Sequence, residues 1–366
     1  MKINSHIVFS IIVLSVLPGC AQFGYYAQAM QGQINLVSSA RPIEHLLADP
    51  TVKDQLKDRL KLVREIRSYA ARELGLPDNG SYKKFAQLKR KYVMWNVVAT
   101  PELSIKPNQW CFPVAGCVDY RGYYSQAAAQ TFAESLHRKG LDVRVSGVPA
   151  YSTLGWFDDP VLSTFIDYPD AELARLVFHE LAHQIAYAPG DSQFNESFAT
   201  AVEEIGVARW LATQADNTLR ENYHVHSQRK ADFLDLLMHH RQQLEINFDS
   251  TASQTDKRLR KVEIFESLRQ KYTQLKQERW SGYAGYDPWF DAPISNANFA
   301  LVATYHDLVP AFRQLYAANA ELPAFYQSVR ELAKLDKKTR RERLQKYTMP
   351  ANNLTQDLVP PSAALQ

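Results

Sequence analysis

Between Asp170 and Tyr187 the chain reads DAELARLVFHELAHQIAY, and this stretch constrains the fold more than any other. Pro169 near its start, Asp170 and Glu172 in a first turn and Pro189-Gly190 beyond its end mark it as a helix. Inside lies His179-Glu180-Leu181-Ala182-His183. Histidines four apart on a helix share a face, with Cβ atoms about 5–6 Å apart, so two imidazoles can converge on one ion. Glu180 follows the first histidine and can reach a metal-bound water without binding the metal, which is the H-E-x-x-H arrangement. The interior positions, Leu181 and Ala182, add no charge to a helix that must be buried.

Such a site needs a third protein ligand and one open position. A histidine ligand in the H-E-x-x-H-x-x-G-x-x-H pattern is excluded, because its glycine and final histidine positions are Ala186 and Pro189. A carboxylate is required instead. After APGDSQ a second helix is expected from near Phe194, FNESFATAVEEIGVARWL, folding back on the first. Glu196 falls in its opening turn and is the chosen ligand, with Thr200 and Glu203 following on its face at i+4 and i+7. Glu203 and Glu204 compete for the same role.

The rest of the chain supplies the setting. Its 366 residues are 46% hydrophobic and 22% charged, enough for a sizeable core, and the net charge of +3 gives no reason to expect a nucleic-acid partner. Periodic apolar positions from Val52 to Leu74 predict an amphipathic helix; Tyr92–Ala99 and Leu141–Tyr151 predict strands, with a helix between them from Ser125 to Lys139. Nearly everything after Pro169 has helical periodicity, with long charged helices around 217–247 and 256–280 and a further helix from about Ser295. The segment SGYAGYDPWFDAP is a candidate rim or lid, and Tyr151 to Phe157 a candidate substrate-binding edge strand. The basic run Lys334 to Lys346 reads as a solvated helix face. The histidine pairs His224/His226 and His239/His240 share no helix face and predict exposed or capping roles. The expected class is α+β, a helix-rich core with a small β-sheet and additional long helices. Its expected divisions are a leader at 1–19, a helical region at 20–90, a catalytic core at 91–215, a helical region at 216–350 completing the cleft, and a tail at 351–366.

The run from His6 to Leu17 follows Lys2 and is too short to cross ~30 Å of hydrocarbon, as a signal-peptide core should be. Leu17-Pro18-Gly19-Cys20 then resembles a lipobox, which makes Cys20 the acylated first residue of a mature, membrane-anchored chain. Ala21 in the next position tilts the anchor towards the outer membrane. Cys111 and Cys117 remain, six positions apart in WCFPVAGC, and an exported chain predicts a local disulfide between them.

Five stretches, WCFPVAGCVDYRGYY, AYSTLGWFDDPVLST, LVFHELAHQ, FNESFATAVEEIG and NANFALVATY, together resemble the gluzincin class of zinc peptidases and, more closely, the putative aminopeptidase family of bacterial lipoproteins. The resemblance implies a zincin-like core that holds one zinc ion through His179, His183 and Glu196, with Glu180 as the general base and a peptide or protein as substrate. It points to Tyr305 as the donor to the oxyanion, with His306 beside it and Tyr120 and Tyr124 as rivals. Thr200 stands where many gluzincins place an aspartate that orients a histidine, which leaves Glu203 to make that contact. Aminopeptidase activity facing the periplasm follows from the family alone. The alternatives are an endopeptidase, an amidase acting on cell-wall peptide, and a non-catalytic zinc-containing lipoprotein that binds an envelope partner.

Overall fold

The structure is a computed structural model and describes residues 24–112 and 116–347; the leader, Cys20 and the tail after residue 350 lie outside them. The chain is α+β and rich in helix. The first half runs α1 (24–39), β1 (Arg41–Pro42), α2 (Ile43–Ala48), α3 (Asp54–Arg72), β2 (Lys84–Ala86), β3 (Met94–Pro101), β4 (Trp110–Phe112), β5 (Gly116–Val118), β6 (Arg121–Tyr123), α4 (Gln126–His137), β7 (Leu141–Val148) and β8 (Val161–Leu162). Then come α5 (Asp170–Ala182), α6 (Ser192–Ala212), α7 (Asn217–Asp249), α8 (Gln254–Glu278), α9 (Asp287–Phe290), α10 (Asn296–His306), α11 (Val309–Asn319), α12 (Leu322–Ala333) and α13 (Lys337–Gln345).

β3 is the centre of an antiparallel sheet ordered β6-β3-β7. Its alternate side chains divide between two helices: Trp95, Val97 and Ala99 join a core with Ala129, Ala133 and Leu136 of α4, while Val98 meets Ala297 and Ala300 of α10. Covered on both faces, the strand reads as the nearly continuous apolar run WNVVAT. A second small sheet pairs β2 with β1 and, in parallel, with β8.

The main core lies between α3, α5, α6, α11 and α12. α5 is apolar nearly all round, burying Ala171, Leu173, Ala174, Leu176, Val177, Phe178, Leu181 and Ala182, as a helix enclosed on every side must. It ends at Ala182, five residues short of the expected Tyr187, and tightens into i→i−3 turns at Gln184 and Ile185. His183 is the capping residue and keeps a right-handed helical conformation, so the i, i+4 relation of the two histidines survives the shortening. α6 starts two residues earlier than expected, because the Asp191 carboxylate accepts from the Phe194 N–H as its cap.

Asp191 is 1% exposed and is also held by Arg340 and Arg341 of α13, each at 2.5 Å. The basic segment is thus not a solvated face throughout, since Arg340 is buried. The charged helices α7 and α8 form a hairpin whose narrow seam, Phe233, Leu237 and Leu244 against Ile264, Leu268 and Tyr272, builds a second core. Tyr286, Trp289 and Phe290 of the expected lid segment pack into that core, Tyr286 stacked on Phe233 and Phe290 on Tyr272 at 4.2 Å. His240 is a core residue rather than an exposed one, bonded through Nδ1 to the Leu236 carbonyl and facing Ser267 Oγ with Nε2, whereas His224 is exposed as expected.

Arg340→Met removes the main counter-charge of a buried carboxylate that also caps the helix bearing Glu196. The urea midpoint should fall by the equivalent of about 2–4 kcal/mol, at the lower end if Arg341 takes over part of the pairing.

Candidate metal and active site

α5 and α6 pack against each other as an antiparallel pair, and the turn between them brings His179, His183 and Glu196 together. One ligand atom from each lies within 4.8 Å of the others. Glu196 Oε2 is 3.3 Å from His179 Nε2 and 3.6 Å from His183 Nε2. Ligands about 2.0–2.2 Å from a tetrahedral zinc ion are separated from one another by about 3.3–3.6 Å, so the donor set fits that ion in composition, and the two separations from Glu196 match it. Among the described residues no other grouping of histidine, cysteine and carboxylate meets the same criterion.

Glu203, two turns beyond Glu196, takes the other side of His179: its Oε2 is 2.8 Å from Nδ1. Its second oxygen accepts from Arg175 at 2.9 Å and faces Lys230 at 3.5 Å. Arg175 in turn bonds Glu172, whose other oxygen is 3.2 Å from His226 Nε2. Burial alone would raise the Glu203 carboxyl, but Arg175, Lys230 and His179 hold it far below the usual range. Glu196 is likewise held low against its own burial, by both histidines. Glu204 pairs with Arg313 at 2.6 Å and stands apart from the histidines. Thr200 is buried one turn past Glu196, and it is Glu203 that meets His179 Nδ1.

Glu180 is 9% exposed, and burial raises its carboxyl; the two histidines act against that shift. Tyr120 packs on Val98 and on Ala297 and Ala300 of α10. Burial, then the Glu196, Tyr187 and Glu180 groups bearing on it, pushes its phenol far above the ordinary value, so it keeps its proton. Tyr124 is engaged elsewhere: its hydroxyl is 2.5 Å from that of Tyr151 and 2.8 Å from Gln33 Oε1 of α1. Tyr305 lies on α10 but its side chain is outside the described residues. Burial holds the neighbouring His306 imidazole down to about 4, with Lys230, Glu203, Arg313 and Arg175 also acting on it.

Two further segments pack near these elements. α1 lies on Tyr124 so tightly that a Cβ on Gly32 would fall 2.2 Å from the ring. The β4–β5 hairpin, closed by the Cys111–Cys117 disulfide, rests on the turn between α5 and α6, where a Cβ on Gly116 would fall 2.6 Å from the Gly190 nitrogen. The segment Tyr151 to Phe157 is not a strand. β7 stops at Val148, and the chain folds into a loop in which Thr153 N and Oγ1 bond the Asp159 carboxylate at 2.9 and 2.8 Å.

Asp159, Arg175 and Lys230 escaped the reading of the sequence. Arg175 sits four residues before His179 in an otherwise apolar helix face, a signal available from spacing. Asp159 offers only an acidic pair in an aromatic loop, and its significance is in its burial, 4% exposed.

The chain belongs to the family described as putative aminopeptidase, whose model matches residues 24–344. No curated protein and no solved structure matches it. The family is one of peptidases, and the matched span takes in α1 as well as the paired helices.

Burial pushes the Asp159 carboxyl up to about 6; the Thr153 bonds oppose this and Asp158 adds to it. Glu180, Tyr82, Tyr124 and Tyr151 also face it, and none is a cation. The folded chain keeps this proton to about pH 6, whereas the unfolded carboxyl loses it near 4. Stability is therefore greatest below about pH 4 in this respect and falls between pH 4 and 6, by roughly 2–3 kcal/mol. Asp159→Asn should be more stable than the parent at pH 8 by about 2 kcal/mol and equal to it at pH 4, as read from urea midpoints.

Proposed function

We propose that the protein is a zinc-dependent aminopeptidase. The observation that carries this reading is the convergence of His179, His183 and Glu196 within 4.8 Å of one another, beside the buried Glu180. A zinc ion held by these three side chains would supply Lewis acidity towards water and the substrate carbonyl.

The chain's own groups do the rest. Glu180 takes a proton from the attacking water on its carboxylate and returns it to the leaving amine; a carboxyl raised by burial is suited to both transfers. Tyr305 of α10 donates from its hydroxyl to the oxyanion, with Tyr120, which packs on the same helix, as its rival. Glu203 accepts from His179 Nδ1, fixing the tautomer that leaves Nε2 free to bind metal, while Arg175 and Lys230 hold Glu203 in place.

The same reading places the protein in the bacterial envelope as a periplasm-facing lipoprotein, acylated at Cys20 and more readily at the outer than the inner membrane. A disulfide in the β4–β5 hairpin suits an oxidising compartment. No helix among the described residues is long and apolar enough to cross a membrane.

The test is cleavage of a peptide library, half with free and half with acetylated N-termini, by the form beginning after Cys20. Zinc-dependent loss of single N-terminal residues from free peptides alone is expected, and Glu180→Gln should abolish it. Internal cuts in both halves would make it an endopeptidase, and no cleavage would return the protein to a binding role. Glu203→Gln, which loses the charge on His179 Nδ1, should weaken zinc binding about 10–100-fold in competition with a chelator.

A further inference from the structure

We propose that Asp159 binds the free α-ammonium group of the peptide substrate and so restricts the site to unblocked N-termini. This assignment rests on the exopeptidase reading above and names the residue that would enforce it.

A carboxylate 4% exposed is costly unless a cation or several donors compensate it. Asp159 receives hydrogen bonds from Thr153 N and Oγ1, both neutral, and these occupy about half of what a carboxylate can accept. No ion pair involves Asp159 among the described residues; Lys84 faces Asp158 at 3.8 Å, and Arg90 lies over the Tyr124 ring. The groups that bear on Asp159, or on which it bears, include Asp158, Glu180, Tyr82, Tyr124 and Tyr151, all carboxyls or phenols. These neighbours offer Asp159 no direct counter-charge, and a cationic ligand would supply it. The α-amino group of a peptide is such a charge at neutral pH, with a pKa of about 8.

Position ties this anion to the reaction centre. The Asp159 carbonyl accepts from the Tyr82 N–H at 2.7 Å, and both Asp159 and Glu180 act on the buried Tyr82 phenol. Gly155 of the same loop lies against Gln184, the residue after His183; a Cβ there would be 3.4 Å from Gln184 Oε1. Gln184 is itself fixed by Asn79 at 2.6 Å and by Ser81 at 3.2 Å. The loop from Thr153 to Asp159 is thus anchored to the end of the helix that carries the histidines. A peptide whose first carbonyl reaches Glu180 has its amine two bonds further back, and Asp159 is, with Glu196, one of the two carboxyls that bear on Glu180.

Asparagine can replace Asp159 without loss of packing: its oxygen accepts from Thr153 N while its amide donates to Thr153 Oγ1. The experiment measures calorimetric binding of an alanine tripeptide and its N-acetylated form to zinc-loaded Glu180→Gln, which leaves the peptide intact. The same titrations follow on that background with Asp159→Asn and Asp159→Glu added. The parent should prefer the free amine about 10–100-fold, Asp159→Asn should lose that preference, and Asp159→Glu should recover part of it. An undiminished preference in folded Asp159→Asn overturns the assignment, as does the absence of any preference in the parent. Cleavage by the otherwise native enzyme separates the two readings. If Asp159→Asn still trims only free N-termini with unchanged KM, the role of Asp159 falls and the exopeptidase stands. If the native enzyme cuts acetylated peptides internally, both fall.

Discussion

The arrangement depends on charge buried between two helices. Glu196 and Glu203 flank His179 on α6, and each would be untenable in the core alone, since an unpaired buried carboxylate costs several kcal/mol. Arg175 reaches Glu203 from one turn before the histidine on the same helix, and Lys230 reaches it from α7. The apolar packing of α5 therefore has a polar seam running through it, closed at one end by Glu172 and His226 and open at the other, where the two Nε2 atoms meet Glu196. Repacking either helix by a turn would strand charge on both sides, which fixes their register more strictly than shape alone.

That register explains what the sequence made legible. The histidine pair and Glu180 followed from helical spacing, and Glu196 from the need for a carboxylate on a helix folding back. Glu203 emerged as both a competitor and a supporting residue, and the structure puts it on the far nitrogen of His179. The strand β3 and the helices α3 and α4 also lay within two residues of where periodicity placed them. Each of these is a property of one element or of two elements joined by a short turn.

What escaped was set by contacts between distant segments. Tyr151 to Phe157 has the composition of a strand, but Thr153 finds Asp159 instead of a neighbouring backbone, a local bond that competes with sheet formation. The aromatic segment around Trp289 has the composition of a mobile loop and is held by the seam of the α7–α8 hairpin. Nothing in the run KLDKKTRRERLQK distinguishes Arg340 from its neighbours until Asp191 comes to meet it. Sequence periodicity reports which face is apolar; it does not report which polar group will be met there.

The contacts made by α1 reach much further along the chain. His179 meets Glu196 and Glu203 across 17 and 24 residues, whereas Gln33 of α1 meets Tyr124 and Tyr151 across 91 and 118. Closing the shorter loops costs less chain entropy and is faster. The cluster of His179, Glu196 and Glu203 thus spans a single helical hairpin, while the contacts of α1 close far longer loops. On a ribosome α1 is made before Tyr124 and Tyr151 and must wait for them, so an early segment makes these contacts only after the chain has grown past both.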